Sequence, residues 1–242
     1  MWSSNYTYFA LMFGSVFFPF VFSFERNVGY YKQWKALGIA IVIPGLFFIV
    51  WDALFTKLGF WSFNDQFILG PRLLGLPLEE WLFFVVIPFC SVFVYEVVKF
   101  YLHKIDLQKS VRIFLYLLVL VFFVLALFSF GKWYTFINLS SNIVFLIFVL
   151  NVPSFQKHLT HFLIAFLVAC VPMFIVNGLL TALPVVEYNG NVFSNIRLFD
   201  IPIEDFSYFL LLMLMNVFVY EKSKKLIVSK KKQLTLYCQL QK

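Results

Sequence analysis

The chain has 242 residues, of which 62% are hydrophobic, 22% aromatic and only 13% charged, with a mean hydropathy of +0.88. Soluble domains carry about 25% charged residues, so this composition excludes an ordinary soluble globule and points to an integral membrane protein. The formal net charge of +7 does not call for a nucleic-acid partner, because the basic residues sit in loops and in a tail beside apolar runs.

Several apolar runs approach the roughly 20 residues that cross a bilayer as a helix. The expected fold is all-α and polytopic, with seven transmembrane helices. They cover about Tyr8 to Phe24, Ala36 to Phe55, Pro77 to Leu102, Val111 to Phe130, Phe136 to Leu150, Leu159 to Leu183 and Pro202 to Tyr220. Long connections, Thr56 to Leu76 and Pro184 to Ile201, precede the third and seventh. No basic segment leads the first run, so no cleavable signal is expected. Cys90 and Cys170 fall in apolar runs and Cys238 in the basic tail, which is neither a disulfide framework nor a metal motif. His158 and His161 share a helical face but have no evident third ligand, so no metal site is expected.

Lysine and arginine asymmetry orients the chain. Arg26, Lys32, Lys35, Lys99, Lys104, Lys109, Arg112 and Lys157 join the tail lysines on one side; Lys57, Arg72, Lys132 and Arg197 occupy the other. The N-terminus is therefore expected outside and the C-terminus in the cytoplasm, with the tail lysines against the membrane lipid.

Two acidic motifs stand out. Pro77-Leu78-Glu79-Glu80 and Pro202-Ile203-Glu204-Asp205 each open an apolar aromatic run. A carboxylate deep in a spanning helix costs about 2.5–3.5 kcal/mol on insertion scales, so paired carboxylates signal function. Pro77 suits a first helical position, and the acids then fall where the helix dipole favours negative charge. Subtracting 77 from 202 gives an offset of 125, and at that offset Asn64 matches Asn189, Arg72 matches Arg197 and Glu79 matches Glu204. Val92 to Glu96 likewise matches Val217 to Glu221 without a gap. Chance apolar matching does not align Asn, Arg, Pro, Glu and Tyr-Glu together. Two three-helix repeats are expected, residues 1–102 and 135–221, joined by a linker helix within 103–134 and followed by a basic tail, 222–242. An odd linker makes the repeats parallel, which brings both acidic motifs to one membrane depth on the outer side.

Neighbours on a helix differ by about 100°, so only one acid of each pair faces the interface between repeats, and the other is left for Arg72, Arg197 or a backbone group. Glu79, Glu80, Glu204 and Asp205 are the acid–base candidates. Asp52 aligns with Asn177, and the two are equally read as site contacts or helix-end hydrogen bonds. Trp81, Phe83, Phe84, Phe206 and Phe209 flank the acids and are read as candidates to face an apolar or cationic ligand. Arg72, Arg197, Asn64 and Asn189 lead into the motifs as a lid or as turns. Glu96 and Glu221 are read as interfacial ion pairs, with Tyr95 and Tyr220 as interface-belt aromatics.

The stretches GLPLEEWLFFVVIPF and RLFDIPIEDFSYFLLLMLMNVFVYE, with WDALFTKLGFWSF upstream, resemble the small membrane-type lycopene cyclases in their fused single-chain form. Family members occur as two subunits, as one fused chain, or as half of a fusion with phytoene synthase. The resemblance covers nearly the whole chain. It implies conversion of acyclic ψ ends of lycopene to β-ionone rings, giving β-carotene via γ-carotene without net redox change. It also implies a carotenoid substrate drawn from the bilayer of a bacterial cytoplasmic membrane, and association with other carotenoid-pathway enzymes. The same four acids carry over as its acid–base set. With no GxGxxG motif and no metal-ligand cluster, no flavin, nicotinamide or metal cofactor is expected. The alternative is a small parallel-repeat transporter, whose usual Pro-Gln pair is missing.

Overall fold

The computed structural model describes residues 4–240. Residues 1–3 of the expected first repeat and 241–242 of the expected tail lie outside the described residues, as do the side chains of Lys231, Lys232 and Cys238. The chain is 72% helical. In order, α1 is Thr7–Phe22, α2 Trp34–Lys57, α3 Leu78–Tyr101, α4 Gln108–Phe128, α5 Trp133–Leu150, α6 the four-residue Pro153–Gln156, α7 Leu159–Ala182 and α8 Ile203–Leu240. Among the described residues, six of these are long and apolar enough to cross a membrane. The expected seventh, α1, has 16 residues, about 24 Å of rise, and stops short of that length. The expected tail is also different: α8 continues as helix through it to Leu240.

Short strands cap one end of the bundle. Strand β1 (Trp61–Phe63) pairs antiparallel with β4 (Val186–Tyr188), while β2 (Arg72–Leu73) with β3 (Leu76–Pro77), and β5 (Arg197–Leu198) with β6 (Ile201–Pro202), form two hairpins. Pro77 and Pro202 therefore end a strand and directly precede the helix, one position earlier than expected, because their backbones pair with Arg72 and Arg197. Element bounds recur at the 125-residue offset: α2 with α7, β1 with β4, β2 with β5, β3 with β6, and the start of α3 with that of α8. The β1–β4 register is self-complementary at that offset, since Trp61 faces Tyr188 and Phe63 faces Val186. Hydrogen bonds beside it are reciprocal too: Asn64 N donates to Val185 O at 3.0 Å, and Asn189 N to Phe60 O at 2.8 Å.

Packing is crosswise. Helix α2 lies along α8 and α3 along α7, while α1 covers α3 and α5 covers α8. Around this crossing, Tyr95 and Tyr220 are both 0% exposed inside an apolar cluster with Phe155 and Phe162. The interface-belt reading of these tyrosines is corrected: each is core, Tyr95 with its hydroxyl on a buried charge cluster and Tyr220 with its ring 4.9 Å from the Lys224 ammonium. Lys99 pairs with Glu221, Lys224 pairs with Glu96 at 2.9 Å, and Tyr95 Oη donates to Glu221 at 2.9 Å. The expected ion pairs at Glu96 and Glu221 are thus present, but each joins one half of the chain to the other. His158 lies 3.6 Å from Glu221. Burial, opposed by Glu221 and aided by Lys99, pulls the His158 imidazole down to about 4, so it is neutral at pH 7 and serves as a hydrogen-bonding partner only.

Replacing Glu221 with Gln leaves Lys99 only the more distant Glu96, at 3.8 Å, and should cost about 1–3 kcal/mol. A lowered midpoint in thermal unfolding of the detergent-solubilised chain is the expected readout, and Lys99→Met should restore part of the loss.

Candidate active site

Both acidic pairs are buried at helix starts, with Glu79 1%, Glu80 6%, Glu204 2% and Asp205 7% exposed. Within each pair the two acids go different ways. Glu79 Oε1 accepts the backbone N–H of Leu69 at 2.6 Å, and Glu204 Oε1 that of Ser194 at 2.7 Å, the same contact 125 positions on. Each thus ties the connection before its helix back onto the helix start. Glu204 Oε1 also accepts the Thr135 hydroxyl at 2.5 Å. Oε2 of both Glu79 and Glu204 has no partner among the described residues.

Their neighbours turn inward. Glu80, Asp205 and Asp52 line one cavity of about 600 Å³, within the usual size of a small-molecule site. Glu80 Oε2 accepts Tyr8 Oη at 2.6 Å, and Asp52 lines the same cavity, with its carboxyl near enough to that of Glu80 for the two to interact. Asp52 Oδ1 accepts Tyr208 Oη at 3.0 Å. Asp205 Oδ2 accepts Asn177 Nδ2 at 2.6 Å and Tyr188 Oη at 3.0 Å. Burial, then the adjacent Asp205 charge, pushes the Tyr188 hydroxyl well above its ordinary value, so it remains a donor. The β1–β4 ribbon roofs the acidic end with Trp61, Phe63, Val186 and Tyr188, and Tyr134 stands beside it. Buried donors, three carboxyl groups and aromatic faces in a largely apolar cavity suit proton transfer to a carbon skeleton better than transport of a hydrated solute. Among the described residues, no group of three His, Cys, Asp or Glu side chains is arranged to hold a metal ion.

The sequence pattern described as "Lycopene cyclase" matches residues 5–98 and 131–223. The chain belongs to the lycopene cyclase family. Segments of this cyclase-family chain also resemble two fungal proteins, both named bifunctional lycopene cyclase/phytoene synthase. The one from Neurospora crassa is 38% identical over 74 residues, 30% of this chain and 12% of the relative. The one from Podospora anserina is 38% identical over 50 residues, 21% of this chain and 8% of the relative. The matched segments therefore span a small part of those longer relatives. No solved structure matches. None of these similarities is to a transporter.

Of the residues singled out in the cyclase-family sequence, Glu80, Asp205, Asp52, Asn177, Phe83 and Phe209 line the cavity. Glu79, Glu204, Trp81, Phe84 and Phe206 are not among its lining residues. The reason is helical phase. The cavity stripe of α3 runs through Glu80, Phe83, Ile87, Cys90, Ser91 and Val94, so Phe84 stacks on Phe48 of α2 instead. Trp81 Nε1 donates to Leu73 O at 3.2 Å. Arg72 pairs with Asp65 at 2.6 Å and Arg197 donates to Asp200 O at 2.7 Å, so the arginines hold loops and form no ion pair with the motif acids. Asn64 and Asn189 each accept the N–H two residues on at 3.0 Å, making matched turns at the edges of the ribbon. The sequence reading passed over Tyr8, Tyr134, Tyr188 and Tyr208. At the 125-residue offset their positions hold Trp133, Phe9, Phe63 and Phe83, so a search for matched polar pairs could not find them.

Glu79→Ala should speed exchange of the Leu69 amide with deuterium, and Glu204→Ala that of Ser194, since loss of a buried acceptor costs about 1–3 kcal/mol. Hydrogen exchange of the protein in lipid, read peptide by peptide, measures this; unchanged protection would show that the loops do not hang on these acids.

Proposed function

We propose that this chain is a lycopene cyclase that closes β-ionone rings on lycopene by carboxyl acid–base chemistry, giving β-carotene via γ-carotene. The observation that carries the reading is the convergence of Glu80, Asp52 and Asp205 on one apolar, aromatic-lined cavity in a chain of this family. Two neighbouring carboxyls buried in one apolar cavity resist carrying two charges, so one of the Asp52–Glu80 pair holds a proton and is the donor. It protonates the end-group alkene, and a tertiary carbocation results. The neighbouring double bond attacks that cation, closes the six-membered ring and shifts the charge. Asp205, oriented by Asn177 and Tyr188, removes the adjacent proton and restores an alkene. One proton enters and one leaves, so the step is an isomerisation, of the intramolecular lyase kind, with no oxidant or reductant. Return of the proton from Asp205 to the pair resets the site. Tyr8, Tyr134, Tyr188, Tyr208 and Trp61 offer ring faces to the cation. Glu79 and Glu204 are positioning residues that hold the roof.

The architecture that goes with this reading has seven crossings, with α1 counted among them, arranged as parallel repeats 1–102 and 135–221 about an in-plane rotation. The matched element bounds and reciprocal hydrogen bonds support it. The N-terminus is then outside and the C-terminus cytoplasmic in a bacterial cytoplasmic membrane, as the lysine and arginine asymmetry argues. The association with other carotenoid-pathway enzymes belongs to the same proposal.

Expression in lycopene-accumulating bacteria, followed by pigment analysis at matched protein levels, tests the reading. Wild-type chain should yield cyclic carotenoid. Glu80→Gln, Asp205→Asn and Asp52→Asn should each lower cyclisation by about 10²–10⁴-fold. Glu96→Gln, at the far end of α3, should stay close to wild type. Full activity in all three cavity variants would overturn the mechanism.

A further inference from the structure

The cavity is longer than a single ring needs. Along α3 its lining runs from Glu80 to Val94, which at 1.5 Å per residue is about 21 Å; along α1 it runs from Tyr8 to Pro19, about 16 Å. Its three carboxyl groups all lie at the roofed end. Beyond them the walls are apolar, with Leu11, Phe18, Ile87, Val94 and Met173. The few polar groups along that tract are already satisfied: Ser15 Oγ donates to Leu11 O at 2.7 Å, Ser91 Oγ to Ile87 O at 2.7 Å and Cys90 Sγ to Ser15 O at 3.4 Å. An elongated slot with its chemistry at one end fits a linear apolar chain that presents only its terminus.

The mouth of the slot can be located from residues that line it and also face outward. Phe18 on α1 is 66% exposed, and Ile175 and Leu179 on α7 are 57% and 42% exposed. Gly14, between Ala10 and Phe18 on the same stripe of α1, lines the slot as well, and a Cβ built on it meets nothing within 4 Å. The gap thus lies between α1 and α7, on flanks that in a membrane face hydrocarbon and not water.

We propose that a linear polyene enters this slot sideways from the lipid, between α1 and α7, end first, and that Gly14 is a specificity-determining residue that keeps the passage wide enough for it. This rests on the cyclase reading. The absent side chain at Gly14 leaves room for the chain in transit, and any large side chain there fills the mouth. The roofed acidic end receives the terminus while the tract beside Cys90 and Val94 holds the polyene behind it.

The experiment uses the full chain in lipid nanodiscs with lycopene and two readouts. The first is cyclisation by the chain carrying native residues, with Gly14→Trp and with Phe13→Trp; Phe13 is 61% exposed and does not line the slot. The second is binding without turnover, followed as the circular dichroism that an asymmetric slot induces in the polyene absorption band of Glu80→Gln chains with and without Gly14→Trp. The expected result is cyclisation lowered about 100-fold by Gly14→Trp, chiefly through binding, and unaffected by Phe13→Trp. The induced band should be present in Glu80→Gln, lost when Gly14→Trp is added, and kept when Gly14→Ala is added instead. Cyclisation or an induced band that survives Gly14→Trp overturns the side entrance. If the native chain shows the induced band but makes no cyclic product, the cyclase reading fails while the entrance stands.

Discussion

A carboxyl group sealed inside an apolar bundle must find hydrogen-bond donors, and most of this architecture answers that demand. Solvation lost at one oxygen each of Glu79 and Glu204 is replaced by backbone N–H groups of Leu69 and Ser194, which belong to the connections leading into α3 and α8. Satisfying those two acids therefore folds both connections back over the bundle. With the connections held, strands β1 and β4 meet and roof the acidic end. Glu80 and Asp205, each one residue on, are turned by about 100° into the space beneath that roof. One requirement thus shapes both the lid and the site.

The same economy operates at the opposite end. Lys99 with Glu221 and Lys224 with Glu96 exchange partners between the two halves of the chain, and Tyr95 adds its hydroxyl to Glu221. Charges that are costly to bury are stabilised only where the halves dock in one alignment. Polar groups clamp both ends of the bundle, and apolar packing fills the space between. The slot occupies the flank where α7 is the more exposed, and α1, the shortest of the long helices, forms its other wall.

Some departures from the 125-residue match fall at the cavity. Asp52 corresponds to Asn177, Phe63 to Tyr188 and Phe83 to Tyr208, so matched backbone carries unmatched chemistry. Under the proposed mechanism this asymmetry is what separates donor from acceptor. Asp52 stands against Glu80, whereas the corresponding Asn177 donates to Asp205. Two identical halves would present two identical acids, and an acid–base step needs them different.

The sequence by itself determined the membrane class, the helical order, the offset of the element bounds and the place of two acidic motifs at helix starts. Those are properties of composition and local spacing: apolar run length, proline before acid, and residue types recurring in register. It also required that only one acid of each pair face inward, since helical phase separates neighbours. Which one did not follow, because that choice depends on where a loop ten residues earlier comes to lie. The same holds for Tyr8, Tyr188 and Tyr208, brought to the carboxyls from three separate elements, and for Tyr95 and Tyr220, whose burial depends on the crossing of α2 with α8 and α3 with α7. Only the tertiary structure decided these, because a hydrogen bond between residues 72 or 156 positions apart leaves no periodic trace in the chain.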